Sequence, residues 1–364
     1  MGIENILNIG ATGIKVNRLA IEITSENIAN VNTLGYSRQR AILETAPTTT
    51  TNGFPLGNGV NLAAVQRSYD SLLQLQLVNN TSSYNQGLAR QKALNQLEPL
   101  FNELTNNGLG DAMQQFFNSW QDLSLNPQGI PERQAVLTRA QILVDNFQQI
   151  SRGLDDTRLS TNASLAGIAN DITDKAKNIA QLNSEIVQAE QTGANANELR
   201  DQRDLLIRQL AEKAGIRYSE QQDGTVSVYL SGGQELVGGF NSRRVYATSD
   251  YPSRIMTTAA LGTPPPAADP NVDSDVTATV GGANNSKGEI GGALLVRDSI
   301  IPEYQGRLNE LAYRLVDQVN TLHRAGFGLS STSSNLDFFS QDVALTQNAD
   351  TSGSGNLLSG LSTA

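Results

Sequence analysis

The chain has 364 residues, of which 38% are hydrophobic and 5% aromatic, and its formal net charge is −10. Asn, Gln, Ser and Thr replace the missing apolar residues, so the composition favours thin helical bundles over one large core, and it is not that of a highly charged disordered chain. The chain has no Cys, which excludes disulfides and Cys-based zinc sites, and it lacks the clustered Lys and Arg that nucleic-acid binding requires.

No apolar run is long enough to span a membrane, so we predict no membrane partner. The first residues lack the basic start and unbroken apolar stretch of a cleaved signal peptide, because Asn5, Asn8 and Lys15 interrupt them. No glycine pair precedes a helix with the spacing of a nucleotide-binding loop. We therefore predict no cofactor and no metal site.

Residues 3–31 have the period of a helix, with Leu7, Ile14, Ile21 and Ile28 at every seventh position. Two interpretations remain open at this point. The helix could pack on its own domain as an ordinary amphipathic helix, or it could become ordered only against partner helices.

This helix ends in a turn rich in Asn and Gly, which tolerate left-handed backbone, and the chain then continues as an extended segment. Residues 24–40 hold no reactive pair and no set of metal ligands, and their side chains suit packing and hydrogen bonding against other chains. Our candidates for assembly contacts are Leu7, Ile14, Ile21, Ile28, Asn27, Asn30, Asn32, Gly35, Tyr36, Arg38 and Gln39.

The next part of the chain returns to helices after a short extended region. Residues 46–61 have a loop composition, and residues 60–66 could return as a strand beside residues 37–43. A long helix is predicted over 68–104 with a break at Pro99. Asp111 is then expected to cap a helix with an aromatic patch, which we interpret as a core anchor in preference to a binding patch. The patch consists of Met113, Phe116, Phe117, Trp120 and Leu123.

Residues 131–191 contain little that would break a helix. Their second half repeats the seven-residue period at Leu165, Ile172, Ile179 and Ile186, which is typical of antiparallel, coiled-coil-like pairing. After a turn, residues 198–214 are predicted to run back as a helix. We expect its leucines to face inward and the charged run RDQRD, residues 200–204, to face outward.

At Gly215 the period changes from helix to strand, with a hairpin turn at Asp223-Gly224 and further short strands at 243–247 and 276–280. The last long helix is expected to bend near Pro302, and the polar tail after it has few apolar anchors. The predicted fold is α+β and elongated, with long antiparallel coiled-coil-like helices and a small inserted β domain. The predicted segments are 1–40, 41–214, 215–288, 289–326 and 327–364.

Residues 27–39 read NIANVNTLGYSRQ and resemble the N-terminal signature of bacterial flagellar axial proteins, whose usual form is close to NNIANxNTPGYxRQ. Leu34 stands where that family usually has Pro. Residues 116–133, 199–206 and 288–326 are similar, in this order, to segments of the first hook-associated proteins of the flagellum. By these segments the chain is identified as a member of the hook-associated family.

The resemblance implies a structural subunit that self-associates into a ring between hook and filament. Its partners would be further copies of itself, the hook protein, a second hook-associated junction protein and a flagellar export chaperone. It would be exported through the flagellar type III apparatus, without a cleaved signal peptide, and would act outside the cell.

In the family, another amphipathic helix near the C-terminus pairs with the N-terminal one, and nothing after Gly326 has that pattern. We therefore expect residues 1–40 to be poorly ordered, or to make non-native contacts, in an isolated subunit.

Two other classes of function fit the sequence less well. An enzyme has weak candidates, because His323 is the only His and the adjacent Asp155 and Asp156 do not face each other on a helix. The prediction is that the chain is not an enzyme. The alternative is a surface-exposed adhesin using the β domain, whose scattered tyrosines form no evident aromatic platform.

Overall fold

The computed structural model describes residues 3–51, 54–101, 108–191, 193, 195–282, 287–329, 335–341 and 361–363. Long helices and small antiparallel sheets confirm the α+β class. A 3-10 turn at Glu98–Phe101 and a π-helical turn at Val296–Ile300 adjoin the helices. The helices are α1 (Ile3–Ala29), α2 (Ser71–Leu97), α3 (Leu109–Leu125), α4 (Ile130–Gln191), α5 (Asn197–Lys213), α6 (Thr277–Gly281), α7 (Gly288–Leu295) and α8 (Ile301–Arg324).

The strands form small sheets whose neighbours pair antiparallel. The pairs are β1 with β4, β2 with β3 and β12 with β13, and the larger sheets have the orders β5-β6-β7-β8 and β11-β10-β9. The strands are β1 (Gln39–Thr45), β2 (Thr49–Thr51), β3 (Phe54–Leu56), β4 (Val60–Arg67), β5 (Ile216–Glu220), β6 (Val226–Leu230), β7 (Glu235–Gly238), β8 (Asn241–Ser242), β9 (Val245–Ala247), β10 (Ile255–Thr257), β11 (Ser274–Asp275), β12 (Phe339–Gln341) and β13 (Leu361–Thr363).

The chain divides into two compact units. The first comprises residues 1–86 and 166–291, and the second comprises residues 87–165 and 292–364. Each unit therefore joins stretches that lie far apart in sequence, whereas the predicted segments follow the chain.

The predicted seven-residue face of α4 is buried in the first unit. Ile172, Ile179 and Ile186 are at most 1% exposed. Leu210 on α5 and Val228 on β6 are buried as well, so the interior of this unit draws on helices and on the larger β-sheet. The β1–β4 pairing predicted from the sequence is also present, with Gln39 opposite Arg67.

The core of the second unit lies among α3, α4 and α8. Phe116 is fully buried there and Trp120 packs against the same core, as the core-anchor interpretation predicted, whereas Phe117 is half exposed. Two further aromatic residues, Phe338 and Phe339, come from the stretch predicted as a polar tail and are buried in this core.

Three local predictions were wrong. Residues 46–61 are not a plain loop, because β2 and β3 pair within them. The strand predicted at 276–280 is helix α6, which begins where the Thr277 backbone N–H donates to the Asp275 carboxylate at 2.8 Å. Asp111 does not cap α3; it lies in the first turn, after the N-cap Gly108.

Both prolines lie beside irregular turns of the helices, near the positions where the sequence predicted a break and a bend. The helix α2 ends at Leu97, two residues before Pro99, and passes into a 3-10 turn. Pro302 is near the start of α8, directly after the π-helical turn. Proline has no N–H, so it cannot donate the α-helical hydrogen bond to the carbonyl four residues earlier. The wider π-helical turn lies where that bond is missing.

Candidate assembly site

The predicted apolar stripe of α1 lies on the surface of the first unit. Leu7, Ile14, Ile21 and Ile28 are 65%, 74%, 66% and 68% exposed. The opposite side of α1 faces β1 and β4, where Val16 is buried. Gly59 allows this close approach, because a Cβ added to it would lie 2.3 Å from the Thr12 hydroxyl oxygen. The helix is thus attached by one side and leaves the stripe uncovered.

Asn27 attaches the end of α1 to the start of β1. Its amide nitrogen donates to the Gln39 carbonyl and its amide oxygen accepts from the Gln39 backbone N–H, both at 2.8 Å. The Tyr36 hydroxyl donates to the same amide oxygen at 2.9 Å. Three predicted site residues therefore form one cluster of hydrogen bonds.

The turn itself is shaped by Gly35, which has φ +91° and lies against Leu205, where an added Cβ would come within 3.2 Å of the leucine side chain. Asn30 stabilises the turn locally, since its amide nitrogen donates to Glu26 and its amide oxygen accepts from Thr33. The other predicted site residues here, Asn32 and Arg38, are exposed. Leu34 is also 75% exposed.

A buried polar cluster lies on α5, where the sequence predicted a solvent-exposed face. The run at 200–204 was expected to face outward, but Asp201, Arg203 and Asp204 are buried. Asp201 accepts a hydrogen bond from the backbone N–H of Ser37 at 2.8 Å, just before β1. It also accepts from the Arg67 guanidinium at 3.0 Å, and Arg67 donates to Asp204 at 2.6 Å.

These charges compensate one another inside the unit. Burial raises the pKa of the Asp204 carboxyl, and the nearby Arg67 guanidinium opposes that rise. Burial would lower the pKa of Arg67, but its two carboxylate partners outweigh burial and raise it. The guanidinium also lies 4.2 Å from the centre of the Tyr69 ring, a cation–π contact. Two carboxylates and one guanidinium thus join the end of β4 to α5.

Amide side chains at the start of α5 and in the turn before it add further bonds to β4. Asn195 and Asn197 both donate to the Val65 carbonyl, at 2.9 and 2.8 Å. The signal in the sequence was the spacing of Asn197, Asp201 and Asp204, which puts three polar residues on one side of a helix. Because a polar helix face is more often solvated, the sequence pattern predicted that these residues face outward.

Arginines hold the same helix to α4 and to the β-sheet. Arg200 donates to Glu190 through two nitrogens, at 2.7 and 2.9 Å. Arg203, which is 1% exposed, donates to the Asn183 side chain at 3.0 Å and to the Gly224 carbonyl at 2.7 Å. The helix α5 therefore connects the N-terminal segment to the sheet.

Within the part of the chain that the structure describes, no group of three or more His, Cys, Asp or Glu is arranged to hold a metal ion. Over the same residues, no helix is both long and apolar enough to cross a membrane. The single His, His323, has its Nδ1 2.7 Å from the Leu336 carbonyl oxygen and packs beside Trp120 and Phe338.

Comparison with known proteins gives consistent matches. Flagellar hook-associated protein 1 of Escherichia coli K12 is 30% identical over 341 residues, covering 92% of this chain and 60% of the relative. The same protein of Salmonella typhimurium LT2 is 30% identical, covering 93% and 59%. That of Bacillus subtilis 168 is 29% identical, covering 90% and 67%. The chain thus spans about three fifths of the length of the first two relatives.

A solved structure, the flagellar hook junction protein FlgK from Burkholderia pseudomallei, matches with a TM-score of 0.61 and 26% identity, covering 73% of this chain and 46% of that one. The model of flagella basal body rod proteins matches residues 7–36, the region of α1 and the turn. The model of the helical domain of flagellar hook-associated protein FlgK matches residues 94–339. Because that match covers more than half of the sequence, the chain belongs to the FlgK family of flagellar hook-associated proteins.

Proposed function

We propose that this protein is a structural subunit of the bacterial flagellum that forms the junction between hook and filament by self-association into a ring. Its neighbours are other copies of itself, the hook protein and a second hook-associated junction protein. It reaches its place outside the cell by flagellar type III export, with a chaperone as its partner before export. The role requires no chemistry and no cofactor.

The observation that carries this proposal is the uncovered stripe on α1. The same seven-residue pattern occurs on α1 and on α4, yet Ile179 on α4 is fully buried whereas Ile14 on α1 is 74% exposed. Burying a side chain of this size stabilises by about 2 kcal/mol. A regular row of such side chains along one helix is suited to packing against other helices.

The experiment compares two exposed positions of α1 in cells whose own copy of the gene is deleted. Ile14→Asp places a charge within the stripe, while Asn17→Asp places the same charge at an exposed polar position. We expect cells with Ile14→Asp to lose motility and to shed unpolymerised flagellin into the medium, because the charge prevents helix packing. Cells with Asn17→Asp should swim normally.

Normal filaments with Ile14→Asp, at equal export of both variants, would contradict the junction role of this stripe. The adhesin alternative gains no support from the β-sheet region. One of its tyrosines is already engaged, because Tyr246 donates to Asp273 at 2.9 Å.

A further inference from the structure

Besides the packing of α1 on β1 and β4, two polar contacts in series connect the end of α1 to α5. At the first, the Asn27 side chain takes both backbone hydrogen-bonding groups of Gln39, which ties the last turns of α1 to β1. At the second, Asp201 takes the backbone N–H of Ser37, two residues before Gln39. The path from α1 to α5 therefore passes through one short backbone segment, residues 37–39.

Asp201 also binds the other strand of the β1–β4 pair. Its second oxygen accepts from Arg67, which is opposite Gln39 in the register of the two strands. One carboxylate thus holds the end of the hairpin where α1 enters, through β1 on one side and β4 on the other. Its side chain is only 7% exposed, so water does not compete well for either bond.

A buried ion pair adds little net stability compared with apolar residues of similar size, because removing the charges from water is costly. The pair instead fixes the geometry of its neighbours, because a carboxylate oxygen accepts hydrogen bonds only from donors that approach it at suitable angles. The donors here are a backbone N–H just before β1 and a guanidinium at the end of β4. A leucine could fill the same space, but it would not select one orientation of the hairpin.

We propose that Asp201 is a positioning residue that sets the orientation of α1 on the first unit, with Asn27 transmitting that orientation to the helix. This deepens the junction function proposed above, on which its importance for assembly rests. Because both residues lie on the same path from α5 to α1, the loss of either one frees the same motion of α1.

The orientation of α1 can be measured on the isolated chain. Because the chain has no Cys, nitroxide labels can be placed on Asn17→Cys in α1 and Asn178→Cys in α4, both exposed positions of the first unit. Pulsed electron resonance then gives the distribution of distances between the labels. We expect a distribution about two-fold wider in Asp201→Asn, because the amide has one accepting oxygen where the carboxylate uses two, and its NH2 group cannot accept the second bond.

Asn27→Ala should broaden the distribution by the same amount, and the double variant should be no broader than either single one. Since Asn27 is at the end of α1, this variant tests the same path even if Asp201→Asn folds poorly. The matched control is Glu190→Gln, which removes a carboxylate that binds Arg200 and does not touch the hairpin. It should leave the distribution unchanged.

Unchanged widths in both Asp201→Asn and Asn27→Ala would overturn the proposal, as would a double variant with additive broadening. In motility assays, the two variants should reduce swimming where Glu190→Gln does not. Because the distances are read on the isolated chain, a failed junction role would leave the positioning result standing, and the two proposals can fail separately.

Discussion

At the scale of single residues, Asn183 joins three parts of the first unit. Its amide nitrogen donates to the carbonyls of Val226 and Gly239, at 2.9 and 2.7 Å. Its amide oxygen accepts from the Val226 N–H and from Arg203, both at 3.0 Å. All four hydrogen-bonding positions of the side chain are thus used in a site with no access to water.

We predict that Asn183→Ala lowers the free energy of unfolding by about 3 kcal/mol, because it leaves several buried groups without partners. Urea unfolding followed by circular dichroism would measure this. Asn178→Ala, at an exposed position of the same helix, should change it by less than about 0.5 kcal/mol. Equal losses in the two variants would contradict this account of the amide.

Glu190 should make the protein sensitive to acid. Its hydrogen bonds from Arg200 hold the pKa of the carboxyl below its usual value. The folded chain therefore binds fewer protons here than the unfolded chain, and the stabilisation is complete above the usual pKa of about 4.5. It is lost as the pH falls through the lowered folded pKa.

Urea unfolding of Glu190→Gln should accordingly show a smaller loss of stability between about pH 6 and pH 3 than the unchanged chain. The Asp204 carboxyl changes the stability in the opposite direction. Burial raises its pKa, so the stabilisation that its protonated form contributes is lost as the pH rises. Asp204→Asn should therefore steepen the acid loss. If both variants shifted the profile in the same direction, this assignment of signs would be wrong.

At the scale of elements, α1 and α4 carry the same pattern in different surroundings. Ile179 on α4 is fully buried, and Ile21 on α1 is 66% exposed. In the isolated chain, Ile179→Ala should cost about 3 kcal/mol of unfolding free energy. Ile21→Ala should cost less than about 0.5 kcal/mol. A comparable loss at Ile21 would mean that the stripe of α1 is covered without a partner.

Hydrogen exchange can measure the order of α1 in the unchanged chain. The expectation that residues 1–40 are poorly ordered in an isolated subunit remains a prediction, and it is the alternative to the fixed attachment of α1 through Asn27 and Asp201. Strong protection of amides between Leu7 and Ile28 in the monomer would contradict it. Protection that appears only on assembly would support a helix that becomes ordered against its partners.

The segment after α8 is held by the second unit. The Asn320 amide oxygen accepts from the backbone N–H groups of Phe338 and Phe339, at 2.9 and 2.8 Å, and its nitrogen donates to the Phe339 carbonyl at 2.9 Å. Arg324 pairs with Asp337 at 2.6 Å. These bonds place the two aromatic rings against Phe116.

We predict that Phe339→Ala lowers the unfolding free energy by about 3 to 5 kcal/mol, the usual range for a fully buried Phe. Phe327→Ala should have almost no effect, since that ring is 92% exposed. Thermal and urea unfolding of the two variants would measure the difference. A similar stability for both would show that the segment does not contribute to the core.

At the scale of the whole molecule, the net charge of −10 acts against self-association. Copies of the same acidic chain repel one another, and salt screens that repulsion beyond a Debye length of about 10 Å at 0.1 M. We therefore predict that association of the purified chain increases as salt is raised from about 20 to 200 mM. Sedimentation velocity would measure it, and weaker association in salt would indicate contacts dominated by ion pairs.

Much of the fold could be predicted from the sequence because its causes are local. The seven-residue spacing predicted the buried face of α4, and the glycine and asparagine turns predicted where α1 ends and where the hairpins lie. The strand beside residues 37–43 was predicted in its correct place. In the candidate site, the sequence indicated Asn27, Tyr36 and Gln39, and the Asn27 side chain hydrogen-bonds the other two.

The sequence by itself thus determined the long helices, their apolar faces and the family, since period, turn chemistry and motif order are local properties of the chain. Only the tertiary structure decided which faces are covered. The stripes of α1 and α4 look alike in sequence, and Asp201 looks like a surface residue until Arg67, 134 positions away, supplies its charge partner. Burial depends on neighbours that folding brings together, and local patterns do not contain them.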